Sequence, residues 1–301
     1  MILTKSILSN VELKSRPRFK FWDPINPKKK KTRRIMKQSS STGFDSSNTL
    51  RVLSFNVQVG VSSSKLSDYI TNGWKHFLPH RNSLDNLDRI AEIVSEYDIV
   101  ALQEVDGGSM RSAYINQTEY LASKGEFPFW HHQTNRNLGH FAQHSNGLLS
   151  RMQPNEINEH RLPGLVPGRG AMIVHYGPSS SPFVFIQVHL ALGKIARFRQ
   201  LQYLIEVINQ YDHVVMMGDF NCQANSHEMR MLFEKTHMCE PERRFNTFPS
   251  WRPVKNIDHI LLSPSLKAAK INVLDDRVSD HLPIAVDISI PDELHTHLSV
   301  S

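Results

Sequence analysis

Cysteine is scarce in this chain: Cys222 and Cys239 are the only two among its 301 residues. Two cysteines cannot build a disulfide framework in a chain of this length. The absence of a Cys-x-x-Cys pair leaves a cysteine-based zinc site without support. We therefore expect both thiols to be reduced, and we predict a reducing compartment, most simply the cytoplasm.

Long hydrophobic runs are missing as well. No apolar stretch approaches the roughly 20 residues that a membrane-spanning helix needs, so we expect no transmembrane segment. Residues 1–10 lack a long apolar core and a small-residue cleavage site, which argues against a secretory signal. A hydrophobic content of 40% and a charged content of 21% are ordinary for a globular protein. We expect the chain to be a monomer.

Acidic residues are nearly absent from the beginning of the chain. Residues 1–48 hold 12 of the 35 lysines and arginines but only 3 of the 29 acidic residues, so the net charge of +6 comes from this stretch. The block of like charge at residues 28–34 is typical of a segment that stays solvated. We predict a basic, disordered tail. It could contact nucleic acid or an anionic membrane, carry an organellar address, or only aid solubility.

A globular domain is expected over residues 49–291, followed by a short tail at 292–301. Alternating and continuous apolar segments predict strands. These segments lie at residues 51–57, 98–103, 146–151, 170–176, 183–190, 214–218, 257–262, 269–274 and 283–290.

Helical periodicity predicts three helices, over residues 82–94, 194–210 and 226–236. The apolar stripe of the first begins at Leu84, and that of the second begins at Ile195. Residues 106–143 and the connection before Gly170 show neither periodicity, so we interpret them as loops. Many strands with few helices predict an α/β fold, a four-layer sandwich in which two packed mixed β-sheets are flanked by helices.

Polar residues stand at the ends of predicted strands. Asp219 and Asn221 follow a strand that stops at Gly218, where glycine lets the chain bend sharply. Two residues apart on extended backbone, they point to the same side and predict one rim of a metal or phosphate site. Further polar strand ends are Asn56, Glu104, His189, Asp258, Asp280 and His281. Singly, each has a plain structural explanation, such as a turn or a local hydrogen bond.

The order and context of these residues resemble the endonuclease/exonuclease/phosphatase superfamily, which includes DNase I-like and exonuclease III-like nucleases. The matching stretches cover residues 50–290 and lie at 53–57, 99–105, 146–151, 188–190, 218–221, 257–261 and 279–283. The resemblance implies a Mg²⁺-dependent phosphoesterase, with Mn²⁺ as a possible substitute. It implies Glu104 as the main metal ligand, Asn56 as a second ligand or an orienting group, and Asp280 in the outer part of the site.

The resemblance also implies the catalytic roles. His281, oriented by Asp258, would act as general base or bind the scissile phosphate as a cation. Asp219 is the rival candidate for positioning or deprotonating water. Asn221 would donate hydrogen bonds to the phosphate, and His189 would stabilise the phosphoryl oxygens or protonate the leaving group.

Hydrolysis of a phosphodiester by direct attack of water is the function that these roles predict. Nucleic acid is the expected substrate, a lipid headgroup or small metabolite is the first alternative, and a non-catalytic binding protein on the same scaffold is the second.

The sequence allows either a functional or a structural role for several further residues. Residues 135–144 and Arg169 could reach the substrate or form ordinary loops. Asp106 and Arg111 could contact substrate or brace the loop after Glu104. Trp251 could cover the site or pack in the core.

Overall fold

The computed structural model describes residues 49–58, 83–164, 168–240 and 245–291. Both predicted tails, residues 1–48 and 292–301, lie outside the described residues, so the limits of the domain stay a prediction. Among the helices that are described, none combines the length and the hydropathy that crossing a bilayer requires.

Eleven strands of the described chain form two sheets. In chain order they are β1 Thr49–Asn56, β2 Ile99–Asp106, β3 Phe129–Asn137, β4 Gln143–Ser150, β5 Glu156–Arg161, β6 Gly170–Tyr176, β7 Phe183–His189, β8 His213–Asp219, β9 Asp258–Leu262, β10 Lys267–Val273 and β11 Ile284–Ser289. The six-stranded sheet has the order β10-β11-β1-β2-β4-β3, and the five-stranded sheet has the order β5-β6-β7-β8-β9. Each sheet contains one parallel pair, β1 with β2 and β7 with β8, among antiparallel neighbours.

Within the described residues, four α-helices accompany the sheets: α1 Ser83–Ser95, α2 Gln117–Lys124, α3 Lys194–Ile208 and α4 His227–Lys235. Side chains cap two of them: that of Asn116 accepts from the backbone at the start of α2, and that of Ser226 does so at the start of α4. The predicted stripes begin one turn too early. Leu84 and Ile195 lie in the first turns of α1 and α3 and are 45% and 75% exposed. The fully buried apolar side chains of these helices begin further along, with Leu87 and Leu201.

Three apolar clusters give the structure its layers. One joins inward-facing residues of both sheets, for example Ala101 and Val215. The second packs α3 and α4 on the outer face of the five-stranded sheet, and the third packs α1 and α2 on the six-stranded sheet. The side chain of Gln187 donates to the backbone O of Leu102 at 2.6 Å and ties the sheets together. The predicted four-layer α/β sandwich is confirmed.

Two predicted loops contain regular structure. Residues 106–143 include α2, β3 and a 3₁₀ turn at Met110–Ser112, and the connection before Gly170 includes β5. Strands β3 and β5 lie at sheet edges and carry polar side chains, which hydrogen bonds satisfy instead of apolar packing. Gln133, for example, is buried on β3 and donates to the backbone O of Ala171 at 3.0 Å. A search for apolar alternation misses strands of this kind.

Candidate active site

Four predicted site residues lie at the carboxyl ends of the two parallel strand pairs. Asn56 ends β1, Glu104 lies near the end of β2, His189 ends β7 and Asp219 ends β8. The side-chain amide of Asn56 donates to Oε1 of Glu104 at 3.2 Å and to Oδ2 of Asp219 at 3.3 Å. The ends of both sheets therefore meet at one edge of the sandwich, as ligand sites in α/β folds commonly do.

Glu104 owes its position to an irregularity in β2. The pairing of β2 with β4 shifts register between Leu102 and Val105, and Glu104 has a φ of +58°. Bulges of this kind redirect a side chain out of the pleated pattern. The Glu104 side chain is 32% exposed in an otherwise buried strand, with Oε1 3.8 Å from Nε2 of His189. Its carboxylate is thus open to a ligand.

Gly218 sets the position of Asp219. Its φ is +142°, and a Cβ added there would lie 1.9 Å from the backbone O of Val188 on the parallel strand. No other residue type fits this close approach. The strand therefore leaves the sheet with Asp219 turned toward the strand ends.

Gly218→Ala is expected to lower the free energy of unfolding by about 3 kcal/mol, because both the backbone conformation and the contact with Val188 oppose a side chain. Urea unfolding followed by circular dichroism measures the loss. Gly139→Ala is the matched control, since Gly139 also has a positive φ, +68°, but no heavy atom within 4 Å of an added Cβ. The control should cost about 1 kcal/mol. Equal losses in the two variants would contradict the steric argument.

Asp219 is buried and held by Asn221. The backbone N–H of Asn221 donates to Oδ1 of Asp219 at 2.8 Å, and its side-chain amide donates to Oδ2 at 3.2 Å. The same amide donates to the backbone O of Leu190 at 2.9 Å. Burial raises the pKa of Asp219 to about 7, nearby Asp258 adds to the shift, and His281 opposes it. A carboxyl group with this pKa can accept a proton from water near neutral pH.

His281 and Asp258 form the predicted pair. Nδ1 of His281 lies 2.8 Å from Oδ2 of Asp258, and the hydroxyl of Thr247 donates to the same carboxylate. A carboxylate only accepts, so the Nδ1–H of His281 is the donor. Burial alone would lower the pKa of His281, but Asp258, Asp219 and Asp280 outweigh it and raise that pKa to about 10. The ring is therefore an imidazolium at neutral pH.

Asp280 joins the site from the loop before β11. The hydroxyl of Ser279 donates to the backbone O of Asn56 at 2.7 Å and lies 3.3 Å from Oδ1 of Asp280. Burial raises the pKa of Asp280 to about 6, with His281 opposing the shift and Glu104 adding to it. The negative charge of Glu104 therefore disfavours ionisation of the Asp280 carboxyl group.

The donor set fits a hard divalent cation. Glu104, Asp280 and Asp219 bring carboxylate oxygens to one buried edge, and Mg²⁺ prefers such ligands. Burial raises the pKa values of Asp219 and Asp280, and a bound cation would stabilise their charged forms. In the described chain, Asp219, Asp258 and His281 also offer one potential ligand atom each, all within 4.8 Å of one another. Asp219 therefore lies beside the His281–Asp258 pair.

His189 is neutral and contacts an arginine. Its Nε2 lies 3.4 Å from Oδ2 of Asp219 and in close contact with Nη1 of Arg169. Burial and the charge of Arg169 hold the pKa of His189 well below its usual value. From the sequence, Arg169 could either contact the substrate or belong to an ordinary loop without a role in the site. The structure brings its guanidinium into the site, where no spacing pattern in the sequence indicated it.

Asp106 braces the loop that follows Glu104. Its carboxylate accepts from the backbone N–H and the hydroxyl of Ser109, from the hydroxyl of Ser112 and, at 2.9 Å, from Nε of Arg111. Burial raises the pKa of Asp106, but these donors outweigh it and leave the pKa below its usual value. Asp106 is fully buried, so the structural role is the correct reading of this residue.

Asp106→Ala is expected to destabilise the protein by roughly 3 kcal/mol, because it leaves the buried guanidinium of Arg111 without its carboxylate. The measurement is again urea unfolding. Asp275→Ala provides the control, since Asp275 pairs with Arg277 on the exposed surface and its loss should cost less than about 1 kcal/mol. A small effect of Asp106→Ala would show that the loop is held by other contacts.

A cleft of about 940 Å³ opens beside Glu104 and His189. Residues 135–136 and 144–145 line one side of it, and residues 191–196 with Arg199 line another. The segment at 135–144 therefore does reach the site. Trp251 is partly exposed and belongs to none of the three apolar clusters.

Comparison with known proteins gives a family match over most of the chain. The profile of the endonuclease/exonuclease/phosphatase family matches residues 53–281. No curated protein sequence matches significantly. The solved structures of similar fold include an endonuclease/exonuclease/phosphatase from Beutenbergia cavernae, with a TM-score of 0.62 and 19% identity over 80% of this chain and 72% of that one.

Two further similar structures are of proteins with a named activity or a bound ligand. One is a mannosyl-6-phosphatase from Bacteroides thetaiotaomicron, with a TM-score of 0.58 and 19% identity over 79% of this chain and 99% of that one. The other is D. rerio TDP2 in complex with a single-strand DNA product, with a TM-score of 0.58 and 17% identity over 81% of this chain and 99% of that one. At these identities the similarity establishes the fold alone.

Proposed function

We propose, from the premise that this chain belongs to the endonuclease/exonuclease/phosphatase family, that it is a metal-dependent hydrolase of phosphodiester bonds. Water attacks the phosphorus directly, and no covalent bond to the enzyme forms. The observation that carries the proposal is the meeting of Glu104 and Asp219 with the His281–Asp258 pair at one edge of the sandwich. Buried carboxylates with raised pKa values beside an imidazolium are typical of catalytic sites, which weighs against a binding protein.

Glu104, Asn56 and Asp280 are the residues proposed to hold the metal, which we take to be Mg²⁺ with Mn²⁺ as a substitute. The exposure of the Glu104 carboxylate supports this choice. When bound, the ion supplies Lewis-acid polarisation of a phosphoryl oxygen and offsets negative charge in the transition state.

Asp219 is proposed as the general base. Its pKa of about 7 suits proton transfer from water near neutral pH. His281 keeps its proton at that pH because its pKa is about 10, so it can donate but not accept. We therefore assign His281 to bind a phosphoryl oxygen through Nε2–H, while Asp258 fixes the orientation of the ring.

The remaining polar groups are proposed to hold the phosphate. The lowered pKa of His189 disfavours the imidazolium that would protonate a leaving group, so we assign His189, with Arg169, to orient the phosphoryl oxygens. The side-chain amide of Asn221 donates hydrogen bonds to Asp219 and to the backbone O of Leu190. These bonds support a role for Asn221 in positioning Asp219, the proposed base. Its hydrogen bond to phosphate stays a prediction.

Nucleic acid is the first substrate class proposed. The complex of D. rerio TDP2 with single-strand DNA shows that a similar fold accommodates a nucleic acid. A lipid-headgroup phosphodiester is the second candidate. The cleft favours it, because aliphatic side chains such as Leu192 and Ile195 line its wall.

The reaction is tested with bis(p-nitrophenyl) phosphate, a diester that needs no substrate-specific contacts. Hydrolysis is expected with Mg²⁺ or Mn²⁺, and treatment with EDTA should abolish it until metal is restored. Glu104→Gln should raise the metal concentration needed for half-maximal activity, since it removes the proposed main ligand. A folded sample without metal-dependent hydrolysis would favour the binding-protein alternative.

A substrate panel then separates the two substrate classes. Single- and double-stranded DNA, RNA, phosphoinositides and sphingomyelin are compared at low and high salt. Nucleic-acid hydrolysis should weaken steeply with salt through counterion release, whereas hydrolysis of sphingomyelin, whose headgroup is zwitterionic, should change little.

A further inference from the structure

Exposed apolar side chains gather at the mouth of the active site. In the described chain seven large hydrophobic residues are exposed, and four of them lie on two segments next to the cleft. Leu138 and Phe141 lie in the turn between β3 and β4, and Leu192 and Ile195 lie at the start of α3. Three of the four are at least 66% exposed. We call this set the apolar rim.

Topology brings both segments to the same edge. Strand β4 runs antiparallel to β2, so the β3–β4 turn lies where β2 ends near Glu104. The segment before α3 follows directly from His189 at the end of β7. Both segments are therefore neighbours of the proposed catalytic residues.

Hydrogen bonds from buried residues hold each segment of the rim in place. The hydroxyl of Ser109 donates to the backbone O of Phe141 at 3.1 Å, in the turn between β3 and β4. Arg197 donates through Nη1 to the backbone O of Leu192 and pairs with buried Glu228 at 3.0 Å. The exposure of the rim is thus built into the fold.

Charge around the rim is of one sign. Residues 134–145 and 190–205 contain no aspartate or glutamate, and they carry Arg136, Lys194 and Arg199 beside the cleft. The chain outside residues 1–48 has 23 basic and 26 acidic residues, so these two segments are basic on a body that is not. A partner that complements this surface would carry negative charge at its surface and have an apolar interior.

We propose that the apolar rim docks on an anionic phospholipid surface, with Leu192, Ile195 and Phe141 entering the interface and the basic residues facing the headgroups. Single-stranded nucleic acid would also be attracted by Arg136 and Arg199, but it is the weaker match because Phe141 is the one aromatic ring of the rim and the other three members are aliphatic. What happens to a lipid phosphodiester after docking rests on the proposed function, but the docking itself does not.

A position-specific probe tests the proposal. Cys239→Ser removes the exposed thiol and leaves only buried Cys222, so a label can be placed by Leu192→Cys. An environment-sensitive dye at this position should shift its emission to the blue with phosphatidylcholine–phosphatidylglycerol vesicles and not with phosphatidylcholine alone. The same dye on Lys267→Cys is the control, because Lys267 pairs through β11 with the start of β1, at the far end of the sandwich.

Charge-matched variants give a second measurement, vesicle cosedimentation of the full chain. Lys194→Glu with Arg199→Glu should weaken binding at least tenfold. Lys267→Glu with Lys270→Glu changes the net charge equally on exposed β10 and should have a smaller effect. Leu192→Asp with Ile195→Asp should also weaken binding, and circular dichroism checks that each variant is folded.

Each outcome is decisive. A dye at position 192 that does not shift with anionic vesicles overturns the proposal, even if the chain cosediments through another region. A shift with single-stranded oligonucleotide but not with vesicles overturns it in favour of nucleic acid. Hydrolysis of bis(p-nitrophenyl) phosphate is measured separately on the unchanged chain. Docking without hydrolysis refutes the proposed function alone, and hydrolysis without docking refutes the rim alone.

Discussion

His281→Ala is expected to lower kcat on bis(p-nitrophenyl) phosphate by about a thousandfold while leaving the chain folded. The substitution removes the imidazolium that we assign to a phosphoryl oxygen, and it leaves Asp258 with an unneutralised buried charge. Steady-state kinetics at saturating Mg²⁺ measures the loss. His213→Ala is the matched control, since His213 begins β8 at the end of the strand opposite to Asp219 and bonds Ser265. A similar loss in both variants would indicate general damage.

The pair can be tested as a unit with a double-mutant cycle. Asp258→Asn should lower kcat by less than His281→Ala, because the ring remains but loses its orienting carboxylate and its raised pKa. In the double variant the loss should resemble that of His281→Ala alone, because residues that act together are not additive. Additive losses would mean that Asp258 acts independently of His281.

Asp219→Asn is expected to have the second largest effect, also about a thousandfold in kcat, because an amide cannot accept the proton of the attacking water. The unfolding free energy should fall far less than the activity, since the side chain keeps its shape and a costly buried carboxylate is removed. Kinetics and urea unfolding on the same sample separate the two effects. Asp212→Asn, at the turn before β8, is the control and should change neither.

A contrary result would be informative about the base. If Asp219→Asn retained most of its activity while His281→Ala did not, proton transfer would have to be reassigned to His281. That assignment would require a pKa for His281 well below the value of about 10 that its three carboxylate neighbours impose.

The sequence predicted the sandwich because most strands are apolar and most helices are amphipathic. It predicted the site because polar residues such as Asn56 and His189 end strands that are otherwise apolar. Parallel pairing then brings these ends together, a step that no local pattern contains. The family resemblance implied that Glu104 and Asp219 belong to one site, and the amide of Asn56 joins their side chains.

The errors have a common physical cause. Strands β3 and β5 are stabilised by long-range hydrogen bonds of polar side chains, as for His131 with Glu159 at 2.9 Å, and sequence periodicity does not register such partners. Leu84 and Ile195 fit helical stripes by spacing, but their exposure depends on where each helix begins relative to its sheet. Arg169 reaches the site from the position just before β6, whose first residue Gly170 pairs with His189, and only tertiary structure shows this.

The hydrogen bonds of Asn56 have a consequence for synthesis of the protein. They join β1 to residues of the second sheet, and the hydroxyl of Ser279 reaches the backbone O of the same residue from just before β11. Strand β1 and the segment just before β11 must therefore both be in place before Asp219 and His281 lie side by side. A nascent chain that ends before residue 281 lacks His281, so the proposed hydrolysis cannot begin until the segment from β9 to the start of β11 has been synthesised.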